Sequence, residues 1–238
     1  MAATDQQLEE YLKNHFIHKS NWLRAAVLGA NDGILSTASI AIGMAAASDL
    51  RAPVVLATLA GLVAGALSMA AGEYVLVSLQ TDVEKADIER EQQELLEMPE
   101  LELQLLAKIY ESRGLKKETA LKVAEELTSH DALGAHVSDE LGINEISQAN
   151  PIQAALASGG AFTVGGLLPF LLTLFLPLES MEYSLYGFAL FFLILLGAIS
   201  ARTGGSNVPK AIGRIVFWGT VAMGLTALVG HFFGINMG

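Results

Sequence analysis

Five long apolar runs decide what this chain can become. A helix needs about 20 mostly apolar residues to cross the hydrocarbon core of a bilayer. Residues 54–78, 152–177, 184–202 and 211–234 meet that requirement, and residues 22–48 meet it with Asn31 and Asp32 embedded in the first half. Backbone groups in lipid must be paired within their own segment, so such runs fold as helices. The expected fold class is therefore all-α: an integral membrane protein with five transmembrane helices and a helical insertion between the second and third. Spans one and two occupy residues 22–80, the insertion 81–150 and spans three to five 151–238. Residues 1–21 read as an amphipathic segment on the membrane face, with Leu8, Tyr11, Leu12, His15 and Phe16 on one side. They lack the short apolar core and small-residue cleavage site of a secretory signal.

The flanking charges orient the spans. Lys13, Lys19 and Arg24 precede the first, only Arg51 lies between the first and second, and seven basic residues lie between the second and third. None separates the third from the fourth, Arg202, Lys210 and Arg214 separate the fourth from the fifth, and none follows. Thirteen of the 14 basic residues thus fall on one side, which the positive-inside rule makes cytoplasmic. The N-terminus and the insertion are then cytoplasmic and the C-terminus is outside.

The insertion concentrates the charge. Only 16% of the chain is charged, yet the net charge is −11, and most of it lies in residues 82–145. An acidic surface attracts cations and offers no basic stripe for nucleic acid. No cysteine is present, so any metal must be held by oxygen, imidazole or thioether. The insertion reads as three helices. The second span continues without Gly or Pro from Glu73 to Glu97, and Pro99 stops it and opens the next helix. That helix ends at Gly114, and a third, divided near Ser129–Asp131 or Gly134, ends at Gly142.

Certain side chains stand out against this background. Asp32 lies in mid-span, where a carboxylate costs about 2.5–3.5 kcal/mol on insertion scales and usually marks an ion or proton path. Met69 and Glu73 share a face of the second span, one turn apart. Thioether beside carboxylate suits a borderline cation, although methionine in a span more often only packs. Below the membrane, Glu84, Asp87, Glu91 and Glu94 form one stripe about 80° wide. Like charges so arranged weaken a helix unless cations or basic partners sit there. Glu102 follows on the next helix, and His136 and Glu140 share a face of the third. Carboxylates with an imidazole suit Fe²⁺, Mn²⁺ or Zn²⁺. The competing reading is a solvated acidic face. No nucleophile–base pair or phosphate-cradling glycine loop is present, so the residues do not point to an enzyme or to a prosthetic group.

Ala30-Asn31-Asp32-Gly33, Ser68-Met69-Ala70-Ala71-Gly72-Glu73-Tyr74, Ala86-Asp87-Ile88-Glu89-Arg90-Glu91 and Asp139-Glu140-Leu141-Gly142 together resemble the vacuolar iron transporter family over residues 20–234. The resemblance implies a homodimer with five spans per subunit and a cytoplasmic metal-binding domain. It implies export of Fe²⁺, often Mn²⁺ too, from the cytoplasm in exchange for protons. Asp32 and Met69 match the family's membrane path; Glu91, Glu94, Glu102 and Glu140 match carboxylates of its cytoplasmic site. His136 stands where family members have methionine, and Leu105 replaces an acid. Ala25 and Gly61 stand where some members carry further acids, which leaves fewer titratable groups for proton coupling. The small residues of span one, Gly29 to Gly43, are expected at the subunit interface. The simple tails fit a prokaryotic plasma membrane. A reading from another class is a membrane-anchored metal buffer or sensor, against which a buried Asp32 argues, since an anchor needs no carboxylate in mid-span.

Overall fold

The computed structural model describes residues 21–143 and 150–237; apart from Asn21, the expected amphipathic segment at 1–21 lies outside them. The described residues are helical throughout, apart from short connections: α1 Asn21–Ala47, α2 Arg51–Glu97, α3 Pro99–Ser112, α4 Lys117–Asp139, α5 Pro151–Phe175, α6 Met181–Thr203 and α7 Val208–Met237, with one 3₁₀ turn at Leu178–Ser180. Five are long and apolar enough to cross a membrane: α1, α2, α5, the Leu178–Thr203 stretch containing α6, and α7. The chain divides into two compact units, one made of residues up to Val75 and from Pro151 onward, the other of Leu76–Asn150.

The membrane unit is built around α1. Ile34, Ala38, Ala41 and Ile42 of α1 pack with Val54, with Met181, Leu185, Ala189 and Leu193 of α6, and with Met223 of α7. Half of α1's most apolar stretch is buried against other helices, but only 11% of that of α7. Lipid is as apolar as leucine, so the helices are held less by hydrophobic exclusion than by close backbone approach at small residues. Gly29 and Gly33 lie against the Ser158 and Phe162 carbonyls of α5, and Gly165 lies against the carbonyl of Ala30. A methyl group at any of the three would strike backbone, which cannot yield as a side-chain tip can. Gly43 and Gly230 make the equivalent approach between α1 and α7. The small-residue face of the first span is therefore occupied inside the chain. The glycines expected at the subunit interface thus already approach α5 and α7 of their own chain.

Arg51, the lone basic residue on its side by charge counting, also acquires a structural explanation. Its guanidinium donates to the carbonyls of Thr173 and Leu176, 2.6 Å each. These are among the last acceptors of α5, left unpaired by the helix end and carrying the negative pole of its dipole.

The second unit consists of the end of α2 with α3 and α4. After Glu97 the chain turns at Met98, and Pro99 occupies the first turn of α3, where its missing N–H is no loss. Gly114, at φ +101°, reverses the chain between α3 and α4, a left-handed conformation that a side chain disfavours. Leu106, Ala107 and Ala124 form the buried contact between the two helices, flanked by Leu103, Tyr110, Leu127 and Ala135. The helical track of α4 breaks at Asp131, whose φ and ψ are −158° and 89°. The Asp131 carboxylate then accepts the Gly134 N–H at 2.9 Å, as an N-cap does, and a second helical segment begins. A methyl group at Gly134 would overlap that carboxylate.

Candidate metal centre

The three helices of the second unit each contribute to one buried cluster. Glu91 comes from the lower part of α2, Glu102 from the first turns of α3, and His136 and Glu140 from the segment of α4 beyond the Asp131 break. One ligand atom from each lies within 4.8 Å of the others. His136 is inaccessible to solvent, Glu91 and Glu102 are each 3% exposed, and Glu140 is the exposed member. His136 Nδ1 is 2.9 Å from Glu91 Oε1, 3.1 Å from Glu140 Oε2 and 3.8 Å from Glu102 Oε2.

Hydrogen bonding alone does not account for this arrangement. One imidazole nitrogen carries at most one hydrogen, yet three carboxylates surround it. Glu91 Oε1 and His136 Nε2 are both buried without a hydrogen-bond partner, although nearly all buried polar groups have one. Burial raises the Glu91 and Glu102 carboxyls above the usual carboxylate range; the neighbouring charge of Glu140 adds to the rise in both, and His136 offsets part of it. A divalent cation would relieve the like charges and use the orphaned oxygen. Three hard oxygens with one borderline nitrogen suit first-row divalent ions.

The cluster gathers four of the seven candidate ligands, and Glu84, Asp87 and Glu94 are not among them. Glu94 instead accepts from Arg90 at 2.9 Å, one turn away on α2. Glu84 accepts from Gln80 at 2.9 Å, and Asp87 is exposed. Along the acidic stripe of α2, Glu91 is the residue that α3 and α4 cover. Leu105, in the place of an expected acid, is 40% exposed.

In the membrane unit, Asp32 is half-buried and accepts a hydrogen bond from Ser36 Oγ at 2.8 Å. Beside it, Asn31 Oδ1 is buried without a partner. Met69 and Glu73 are half-buried on α2. The same stretch of α5 touches both neighbourhoods: Ser158 and Phe162 meet Gly29 and Gly33 on either side of Asp32, while Gly159 and Phe162 meet Ala66, Ala70 and Gly65 next to Met69. Ala25 is buried, and Gly61 faces the Ile40 side-chain tip, so an acid at position 61 would have to displace Ile40. At the other end of the bundle, His231 Nε2 lies 3.4 Å from Glu182 Oε2.

The chain as a whole is similar to known proteins. A vacuolar iron transporter of the amoeba Acanthamoeba castellanii is 42% identical over 219 residues, covering 90% of this chain and 81% of its own. Vacuolar iron transporter homolog 1 of Oryza sativa subsp. japonica is 34% identical over 93% of this chain and 78% of its own. Vacuolar iron transporter homolog 2.1 of Arabidopsis thaliana is 30% identical over 92% and 84%. These three relatives are eukaryotic and lend no support to a prokaryotic plasma membrane. The VIT family model matches residues 23–231, from the first turn of α1 to within two turns of the end of α7 and across both the buried cluster and Asp32; the chain is a member of the VIT family.

Proposed function

We propose that this chain is a divalent-cation transporter that removes Fe²⁺, and Mn²⁺ as a second substrate, from the cytoplasm in exchange for protons. The family consists of transporters, not enzymes. The observation that carries the reading is the buried convergence of Glu91, Glu102, His136 and Glu140, whose crowded charges and buried Glu91 oxygen without a hydrogen bond suit a cation. In this reading the cluster captures the ion on the cytoplasmic side, and Asp32, Met69 and Glu73 handle it along the membrane path. Charge counting supports a cytoplasmic N-terminus and an external C-terminus. Proton exchange is supported by the resemblance and by Asp32, a carboxylate in mid-span. The working unit is a homodimer, and α2 supplies its surface in the membrane. Leu56, Leu59, Val63 and Leu67 are exposed along that helix.

The test is initial-rate Fe²⁺ and Mn²⁺ flux in proteoliposomes, with and without a pH gradient, for the wild type and Asp32→Asn. The amide keeps the size of the side chain and can still accept from Ser36, but it carries no charge. Flux should fall at least tenfold while metal binding at the cytoplasmic cluster is unchanged. A membrane-anchored buffer would bind metal and show no flux in the wild type. Normal flux through Asp32→Asn would remove the pathway from α1.

A further inference from the structure

The ligand-bearing end of α4 is mechanically separate from the rest of that helix. The break at Asp131 removes helical continuity, so the position of His136 and Glu140 must be set by what holds the following segment. One hold is the Asp131–Gly134 cap at its start. Ala135 packs against the buried contact with α3, and a further hold is at the segment's end, beside Glu140. Asp139 Oδ2 accepts from Tyr110 Oη at 2.5 Å, and Asp139 Oδ1 accepts from Arg113 Nη1 at 2.5 Å. Arg113 Nη2 also reaches the Asp139 carbonyl at 3.3 Å, and the guanidinium lies 5.2 Å from the centre of the Tyr110 ring. Tyr110 lies in the last turn of α3 and Arg113 is its C-terminal cap residue, and the Leu115 N–H, just past Gly114, donates to the Tyr110 carbonyl.

An aspartate in the last turn of a helix faces the negative end of the dipole and is disfavoured there. Arginine offsets that cost at Asp139, and its two-pronged geometry fixes direction as well as distance. Through this contact the end of α3, the helix that carries Glu102, is tied to the end of α4, which carries His136 and Glu140. Ligand groups need placement to within about 0.5 Å, and supporting residues supply it.

We propose that Arg113, Tyr110 and Asp139 form a positioning clamp that sets the geometry of the His136–Glu140 half of the cation site against Glu102. The inference rests on the cation-site reading above. Arg113 and Tyr110 touch no proposed ligand atom; they act through Asp139.

The probe is Mn²⁺ bound to the full-length protein in detergent micelles. Affinity is read by titration and imidazole coordination by the ¹⁴N modulation of the pulsed electron paramagnetic resonance signal. Tyr110→Phe removes one hydrogen bond and keeps the ring. Arg113→Gln removes the fork, and Arg113→Lys restores the charge without it. Tyr110→Phe should weaken Mn²⁺ binding several-fold, and Arg113→Gln by about 10- to 100-fold. Both should reduce the ¹⁴N signal at saturating Mn²⁺, and Arg113→Lys should recover only part of it. A generally loosened fold would lower affinity and leave the coordination of bound Mn²⁺ unchanged, which would overturn the clamp. Wild-type affinity and ¹⁴N signal in Tyr110→Phe and Arg113→Gln would overturn it too, and Tyr110→Phe decides alone if Arg113→Gln fails to fold. A wild type that binds no Mn²⁺ overturns the cation site and the clamp with it, whereas binding in the wild type with insensitive variants overturns the clamp only.

Discussion

Glu91→Gln separates a cation site from a buried ion pair because the two readings predict opposite signs for the metal-free protein. Two like charges 4.8 Å apart repel by about 3.5 kcal/mol at an effective dielectric of about 20. Glu102 and Glu140 both lie within that distance, so the repulsion on an ionised Glu91 is at least about 7 kcal/mol on this scale. A protonated His136 at 2.9 Å returns about 6 kcal/mol by the same arithmetic. The Coulomb terms nearly cancel, and the cost of taking a carboxylate out of water decides. Burial is the leading cause of the raised Glu91 carboxyl, in agreement with that balance. Neutralising a buried charge that lacks a net favourable partner relieves a desolvation penalty of roughly 1–3 kcal/mol. Glu91→Gln should therefore make metal-free α3 and α4 more resistant to opening while weakening their response to Mn²⁺. The assay is amide hydrogen exchange on the full-length protein in nanodiscs, with chelator and with Mn²⁺. Exchange in the metal-free variant should slow about 5- to 150-fold, since about 1.4 kcal/mol is a factor of ten. Mn²⁺ at about one hundred times its Kd should slow wild-type exchange about 100-fold, equivalent to about 2.7 kcal/mol, and slow the variant far less. Faster exchange in the metal-free variant, at the cost of about 3–5 kcal/mol expected for breaking a buried pair, would refute the reasoning and make Glu91–His136 a structural ion pair.

The raised carboxyls of Glu91 and Glu102 predict how stability depends on pH in the absence of metal. Their contribution is fully present below the ordinary glutamate value of about 4.3 and is lost as pH rises through their raised folded-state values, because the folded state holds the extra protons. Asp139 has the opposite sign. Burial works to raise its carboxyl, but the hydrogen bonds from Tyr110 and Arg113 outweigh burial and lower it. Its contribution is present above the ordinary aspartate value and fades below that. Mn²⁺ affinity should fall with pH through the raised glutamate range, as protons compete for the same oxygens; a Mn²⁺ titration series across that range checks it, and a flat profile would count against carboxylate ligation. For the dimer, single cysteines at Leu56, Val63 and Leu67 of α2 should crosslink between subunits in a chain with no native cysteine. A cysteine at Ser39, a nearly isosteric change on α1, should not, because Ser39 is buried within its own chain; the reverse pattern would return the interface to α1.

Much of the architecture is legible in residue order because the bilayer and the backbone impose local rules. The five apolar runs needed only length and composition to be read as spans. The continuation of α2 to Glu97, the restart at Pro99 and the turn at Gly114 followed from backbone chemistry at single positions. The face shared by His136 and Glu140 followed from helical periodicity. What periodicity cannot do is say which face meets another helix. It placed Glu84, Asp87, Glu91 and Glu94 on one stripe, but only the approach of α3 and α4 sets Glu91 apart from the other three. It marked Gly29 and Gly33 as sites of close approach without saying whether the neighbour is α5 of the same chain or a second subunit. The division near Ser129–Asp131 or Gly134 was legible, and the structure puts it at Asp131; the Arg113–Asp139 contact was out of reach. A local signal can mark where a helix bends, but the direction in which it then carries His136 depends on contacts between residues far apart in the chain. Span, turn and charge are properties of neighbouring residues, while burial and convergence exist only once distant helices have packed.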